Sequence, residues 1–132
     1  MENCLEEYRS LKLEHESISR VLRSVIAYGH RMDEFTAAGD VPASKSCTLS
    51  SLVNRMEGER SRLSTVLRNV EERIRRIRDP IRREVLRRRF IEGDDVVKIA
   101  MDLSYSEATI WRANRSGCEE YRCMDMTEEV RR

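Results

Sequence analysis

Breakers are scarce in this chain: five glycines and two prolines in 132 residues leave long stretches uninterrupted. Such stretches favour helices of more than average length. Aromatic residues make up 5% and charged residues 37%, a balance that suits solvated helices and argues against a sheet-based core. No apolar run follows the charged N-terminus, so neither a secretion signal nor a membrane span is expected, and a cytoplasmic location is the plain reading. Cys4, Cys47, Cys118 and Cys123 lack the close spacing of metal-ligating pairs, and His15 and His30 lie far from most of them. No metal and no cofactor is expected, and the thiols read as free thiols of a reducing compartment. No nucleophile–base pair, phosphate loop or paired-carboxylate spacing stands out either, so an enzyme is not expected.

What is present is unevenly distributed. The net charge is only +1, which gives no global argument for a nucleic-acid partner. From Arg73 to Arg89, however, nine arginines face two acids, Asp79 and Glu84, whereas the N-terminus carries Glu2, Glu6, Glu7, Glu14 and Glu16. Arginine grips phosphate as a rigid bidentate fork. For any single arginine, a solvated helical face with pairs such as Glu71–Arg75 and Glu72–Arg76 is explanation enough. The cluster as a whole suits phosphate or an acidic partner.

Cys4, Tyr8, Leu11, His15, Ile18, Leu22, Val25 and Gly29 recur at alternating steps of four and three, a heptad seam that Leu5, Val21 and Ile26 widen. His15 packs on that seam, and His30 ends the helix. A loop of small and hydroxyl residues with Gly39 and Pro42 follows over about residues 32–48, with Thr48 or Ser50 as the next cap. Leu49, Leu52, Met56, Leu63, Val66, Val70 and Ile77 then form a second seam, with Leu67 and Ile74 alongside and Glu59 and Arg73 interrupting it. Two amphipathic helices of similar length bury their stripes as an antiparallel hairpin or against a second copy in a homodimer.

Asp79-Pro80 predicts an N-cap and first helical position. A helix over Pro80–Ile91 buries Ile81, Val85, Leu86 and Phe90 and stops at Glu92-Gly93. Asp94 or Asp95 caps a short helix with Val96, Ile99, Ala100 and Leu103 on one face. Ser106 caps a last helix through Ile110, Ala113, Gly117 and Tyr121. Residues 95–121 have the proportions of a helix-turn-helix. Helical spacing from the cap turns Glu107, Ala108, Trp111, Arg112 and Arg115 outward, with Thr109 nearer the groove wall. Arg112 and Arg115 suit guanine O6 and N7, and Glu107 suits cytosine N4. Thr109 suits a thymine methyl or a phosphate. The amides near Ser106 suit a phosphate, and Arg82, Arg83, Arg87, Arg88 and Arg89 suit backbone contacts that set register.

The ordered motifs Leu86-Arg87-Arg88-Arg89-Phe90, Glu92-Gly93, Ile99-Ala100, Tyr105-Ser106 and Thr109-Ile110-Trp111-Arg112 resemble region 4 of bacterial sigma factors. They are closer to phage-encoded relatives of that module, the late-transcription regulators of the ArpU and RinA type. The resemblance covers about a third of the chain at motif strength and implies an all-α protein. In it, an N-terminal hairpin over 1–78 precedes a DNA-binding unit over 79–123 and a polar tail over 124–132. The implied function is a sequence-specific transcription regulator in a bacterial host, binding double-stranded promoter DNA and touching RNA polymerase. A small terminase subunit binding packaging-site DNA, and a protein-binding adaptor without DNA affinity, are the alternatives.

Overall fold

The computed structural model describes the backbone of residues 5–37 and 43–124 and the side chains of residues 5–31 and 48–124. All regular structure among them is helical: α1 (Tyr8–Ala37), α2 (Ala43–Arg75), α3 (Pro80–Leu86), a π-helical continuation (Arg87–Glu92), α4 (Val96–Leu103) and α5 (Glu107–Cys123). Cys4, Cys47, most of the expected loop and residues 125–132 of the expected tail lie, wholly or in their side chains, outside this description. The two long helices exceed their expected lengths. α1 runs through Ala37, so His30 lies inside it, and α2 starts at Ala43, so Thr48 and Ser50 are interior rather than caps. Hydroxyl residues weaken a helix without forbidding it, and the helix resumes directly after Pro42.

The chain forms two compact units: residues 10–66, and residues 1–9 together with 67–132. The division falls within the long helices rather than at Asp79. In the first unit the seams govern burial. Leu11, His15, Ile18, Val25 and Gly29 of α1 are half-buried and Leu22 is buried, while the positions between them are mostly exposed. On α2, Leu49, Leu52, Met56, Glu59 and Val66 are half-buried and Leu63 is buried. His15 Nε2 meets Ser64 Oγ at 2.8 Å. A groove near 290 Å³ is lined by Val25, Ile26, Gly29 and His30 from α1 and by Leu49, Ser50, Val53 and Asn54 from α2. Val21 and Ile26, expected to widen the buried face, are exposed. A facing helix covers a narrow stripe, and these two lie at its margin or beyond it.

The other unit begins with Leu5 and Tyr8, both buried, and takes in the last turns of α2, where Leu67, Val70, Ile74 and then Ile77 are buried. Tyr8 Oη donates to Glu71, and burial followed by this bond raises the phenol's pKa. Arg73, the polar interruption of the second seam, is buried too; its guanidinium lies 4.8 Å over the Tyr121 ring and donates to the Met124 carbonyl at 3.0 Å. Stacking on a ring and bonding a carbonyl let an arginine sit at an apolar position.

Each short helix begins where its cap chemistry dictates. Asp79 accepts from the Ile81 amide with Pro80 in the first turn, Asp95 from Lys98 and Ser106 from Thr109. The helix from Pro80 does not stop at Leu86 but widens into the π-helical turn. Gly93, at φ 83, closes it by donating to the Arg88 carbonyl five residues back. Ser104 takes the left-handed position (φ 62) that ends α4, and the Tyr105 amide reaches back to the Ala100 carbonyl at 3.0 Å. Val85, Val96, Ile99, Ala100 and Ile110 form one buried cluster, with Ile81, Leu103 and Ala113 packed against it. Full burial of each large aliphatic there is worth about 1.5–3 kcal/mol. α5 lies close to α3 at Gly117, where a Cβ would stand 3.1 Å from Leu86.

Gly58 lies exposed within α2, with nothing within 4 Å of where a Cβ would be. Gly58→Ala should therefore raise the unfolding free energy by about 0.5–1 kcal/mol, read from urea melts; unchanged or lower stability would mean that α2 is not helical there in solution.

Candidate nucleic-acid interface

α5 is amphipathic along its whole length. Ile110, Asn114, Gly117, Cys118 and Tyr121 are buried. Glu107, Ala108, Trp111, Arg112 and Arg115, the residues expected to point outward, are all exposed, and Thr109 is half-buried. They occupy positions i, i+1, i+4, i+5 and i+8, one continuous face. The start of this face is organised by short polar contacts. Ser106 Oγ caps the Thr109 amide at 3.2 Å and meets Thr109 Oγ1 at 2.9 Å; Arg112 Nη2 donates to Thr109 Oγ1 at 3.3 Å. Arg112 and Arg115 enter no ion pair among the described residues. Their charge is available to an anion, and the exposed amide end of the helix adds to it.

The arginines of α3 and the π-helical turn are placed differently. Arg82 pairs with Asp79 at 3.7 Å and Glu120 at 3.4 Å. Arg83 donates to the Ile77 carbonyl at 2.8 Å, which ties the segment between α2 and α3 to α3. Arg87 is held by Glu84 at 2.7 Å and by Glu92. Bonding to Arg87 holds the Glu84 carboxyl below the usual carboxylate range despite partial burial. Arg88, only 12% exposed, bridges Asp94 at 2.8 Å and Asp102. Arg89 donates to Asn114 Oδ1 at 3.0 Å and lies over the rings of Phe90 (4.9 Å) and Trp111 (5.2 Å). The five arginines expected to meet phosphate thus all have partners within the protein. Pairs that stand at the surface, as those of Arg82 and Arg87 do, hold with only about 0–1 kcal/mol and exchange readily for another anion. Arg88 and Arg89 are bound into the structure. On α2, Glu72 pairs with Arg76 at 3.6 Å, as its spacing predicts, and also with Arg75 at 2.5 Å; Glu71 takes Tyr8 instead.

Three features escape a linear reading. Asn114, a polar residue on the inner face of α5, is buried and anchors Arg89. Arg89, Phe90, Trp111, Asn114, Arg115 and Cys118 line part of a cleft near 590 Å³ along α5, where burial pushes the Cys118 thiol up. Val97, Met101 and Tyr105 are exposed at steps of four on and just after α4, an apolar stripe whose only sequence signal is that spacing. No helix among the described residues is long and apolar enough to cross a membrane. Comparison with family models, with curated proteins and with solved structures gives no match to this chain.

The Arg88–Asp94–Asp102 bridge makes the start of α4 sensitive to acid. Bonding to Arg88, then to Lys98, holds the Asp94 carboxyl below its ordinary value. A carboxylate depressed in the folded state stabilises it above the unfolded pKa and loses that contribution as pH falls through the folded pKa. Asp94→Asn should lower Tm at neutral pH and flatten the decline of Tm below about pH 4, where ordinary Asp side chains protonate. Parallel Tm–pH curves for the two proteins would mean that the bridge does not form.

Proposed function

We propose that the chain is a sequence-specific DNA-binding regulator in which α4, the Ser104–Ser106 turn and α5 act as a helix-turn-helix and α1 with α2 as a helical hairpin. The observation that carries this reading is the outer face of α5: six candidate reading residues, Glu107, Ala108, Thr109, Trp111, Arg112 and Arg115, stand on it at least partly exposed. Burial of Ile110 and Asn114 turns them outward. α5 enters the major groove with its capped end foremost. Arg112 and Arg115 grip guanine edges, Glu107 accepts from cytosine, and Trp111 covers a thymine methyl or a sugar. The amide end at Ser106 and the displaceable arginines Arg82 and Arg87 hold phosphates and set register. Arg83, Arg88 and Arg89 act one step back: Arg83 holds the segment before α3, and Arg88 and Arg89 fix α4 and α5 to the π-helical turn. Arg89 lies 5.2 Å from the Trp111 ring, a cation–π contact that supports the indole from within the protein. Promoter DNA, with RNA polymerase as protein partner, is the target that the likeness to sigma region 4 implies.

The exposed Val97–Met101–Tyr105 stripe favours one second reading, an adaptor that binds another protein through α4 and has lost DNA affinity.

Selection from random duplex DNA by the full chain at two salt concentrations separates the two. Enrichment of a defined motif, with affinity falling steeply as salt rises, is expected. On the selected site, Arg112→Ala should cost about 1–3 kcal/mol and relax preference at one base pair. Absence of both enrichment and salt-dependent binding would leave the adaptor reading. An unchanged ratio of target to non-target affinity in Arg112→Ala would remove Arg112 as a base reader.

A further inference from the structure

The cleft along α5, near 590 Å³, lies within a single compact unit of the chain. Small-molecule sites fall between about 300 and 1,000 Å³, and a bare ion fills far less. Asn114 lines the cleft with only 9% of its surface exposed, and its Oδ1 accepts from Arg89 Nη1 at 3.0 Å. Arginine can only donate, so this bond fixes the sense of the side-chain amide and leaves Nδ2, a donor, for another partner. Among the described residues Nδ2 has no hydrogen-bond partner, yet it is not sealed from solvent. A nearly buried amide donor left open to a cleft calls for an acceptor.

Arg89 makes the same demand with charge. Arg82, Arg87 and Arg88 are each held by a carboxylate. Arg89, half-buried, is held by an amide oxygen and two rings and enters no ion pair among the described residues. A partly desolvated guanidinium without a counter-charge is costly until an anion meets it. Arg115, also without an ion pair, lines the same cleft. Two guanidinia and an amide on one cleft suit a phosphate. The acids of the lining do not cancel them: Glu6 faces Arg122 at 3.7 Å, and Glu119 stands one helical turn beyond Arg115. Over the whole cleft, three guanidinia and two carboxylates leave an excess of one positive charge, which suits a single phosphate rather than a polyphosphate. Beside these donors stand two rings, Trp111, 48% exposed, and Phe90, half-buried. Such faces take a planar base by stacking, whichever base it is.

We propose that this cleft binds a nucleoside monophosphate, with Arg89, Asn114 and Arg115 on the phosphate and the base against Trp111 and Phe90. Trp111 and Arg115 also belong to the outer face of α5, so bound nucleotide and duplex DNA exclude each other. That consequence alone rests on the DNA-binding reading; nucleotide binding itself is measured without DNA.

Titration of the full chain with AMP, followed by Trp111 emission, should give saturable quenching. The AMP dissociation constant should be lower than that of inorganic phosphate or of adenosine by about 10-fold or more. Asn114→Asp keeps an acceptor for Arg89 but replaces the amide donor by a carboxylate facing the phosphate. It should weaken AMP binding by about 10-fold or more while helix content and Tm hold. Arg115→Gln, at an exposed position in no ion pair among the described residues, should weaken it similarly and gives the same readout without touching a buried group. AMP should also release a selected duplex. No saturable AMP binding, AMP held no more tightly than phosphate, or full AMP affinity in a folded Asn114→Asp or Arg115→Gln would each overturn the proposal. AMP and duplex bound at once would overturn the shared use of Trp111 and Arg115.

Discussion

Burial of Ile110 sets the rotation of α5, and most of the candidate site depends on that rotation. With Ile110 fully buried among Val85, Val96, Ile99 and Ala100, helical geometry leaves Glu107, Ala108, Trp111, Arg112 and Arg115 no orientation but outward. The close approach at Gly117 to Leu86 adds a second fixed point along the same helix. Two buried points and a side-chain cap at Ser106 define where α5 starts, how it turns and how near it lies to α3. The chemistry available on the exposed face follows from those three constraints.

The arginines show how the same residue type is divided between tasks. Those of α3 and the π-helical turn face acids, carbonyls and rings of their own chain, and Arg88 and Arg89 tie together elements far apart in sequence. Arg112 and Arg115, on the open face, enter no ion pair among the described residues. Net charge therefore does not fix the charge of any one face: Arg112 and Arg115 share the exposed face of α5 with Glu107, while Glu120 of the same helix is taken by Arg82.

Local rules made much of this legible. Asp79, Asp95 and Ser106 cap their helices because the capping bond spans two or three residues. The seams of α1 and α2 predict burial because a heptad step keeps side chains on one line. Longer-range facts left no local signal. Asp102 lies 14 residues from Arg88 and Asn114 lies 25 from Arg89, so neither pairing was visible as a spacing. Val21 and Ile26 were expected inside and Arg73 marked a flaw in its seam. Burial is settled by what lies opposite: the first two are left uncovered, Ile26 at the rim of a groove, and Tyr121 and the Met124 carbonyl receive the third. The ends of α1 and α2 were placed too far apart because hydroxyl-rich composition marks loops only on average.

The chain contains a single tryptophan, Trp111, and it stands on the face proposed to meet DNA. Its fluorescence, followed while duplex DNA of a selected sequence is added, tests the central claim most directly. Quenching or a spectral shift that saturates with binding, reverses with added salt and tracks the anisotropy of labelled DNA is the predicted result. DNA that binds by anisotropy while Trp111 emission stays unchanged would place the contact elsewhere on the molecule and contradict the account.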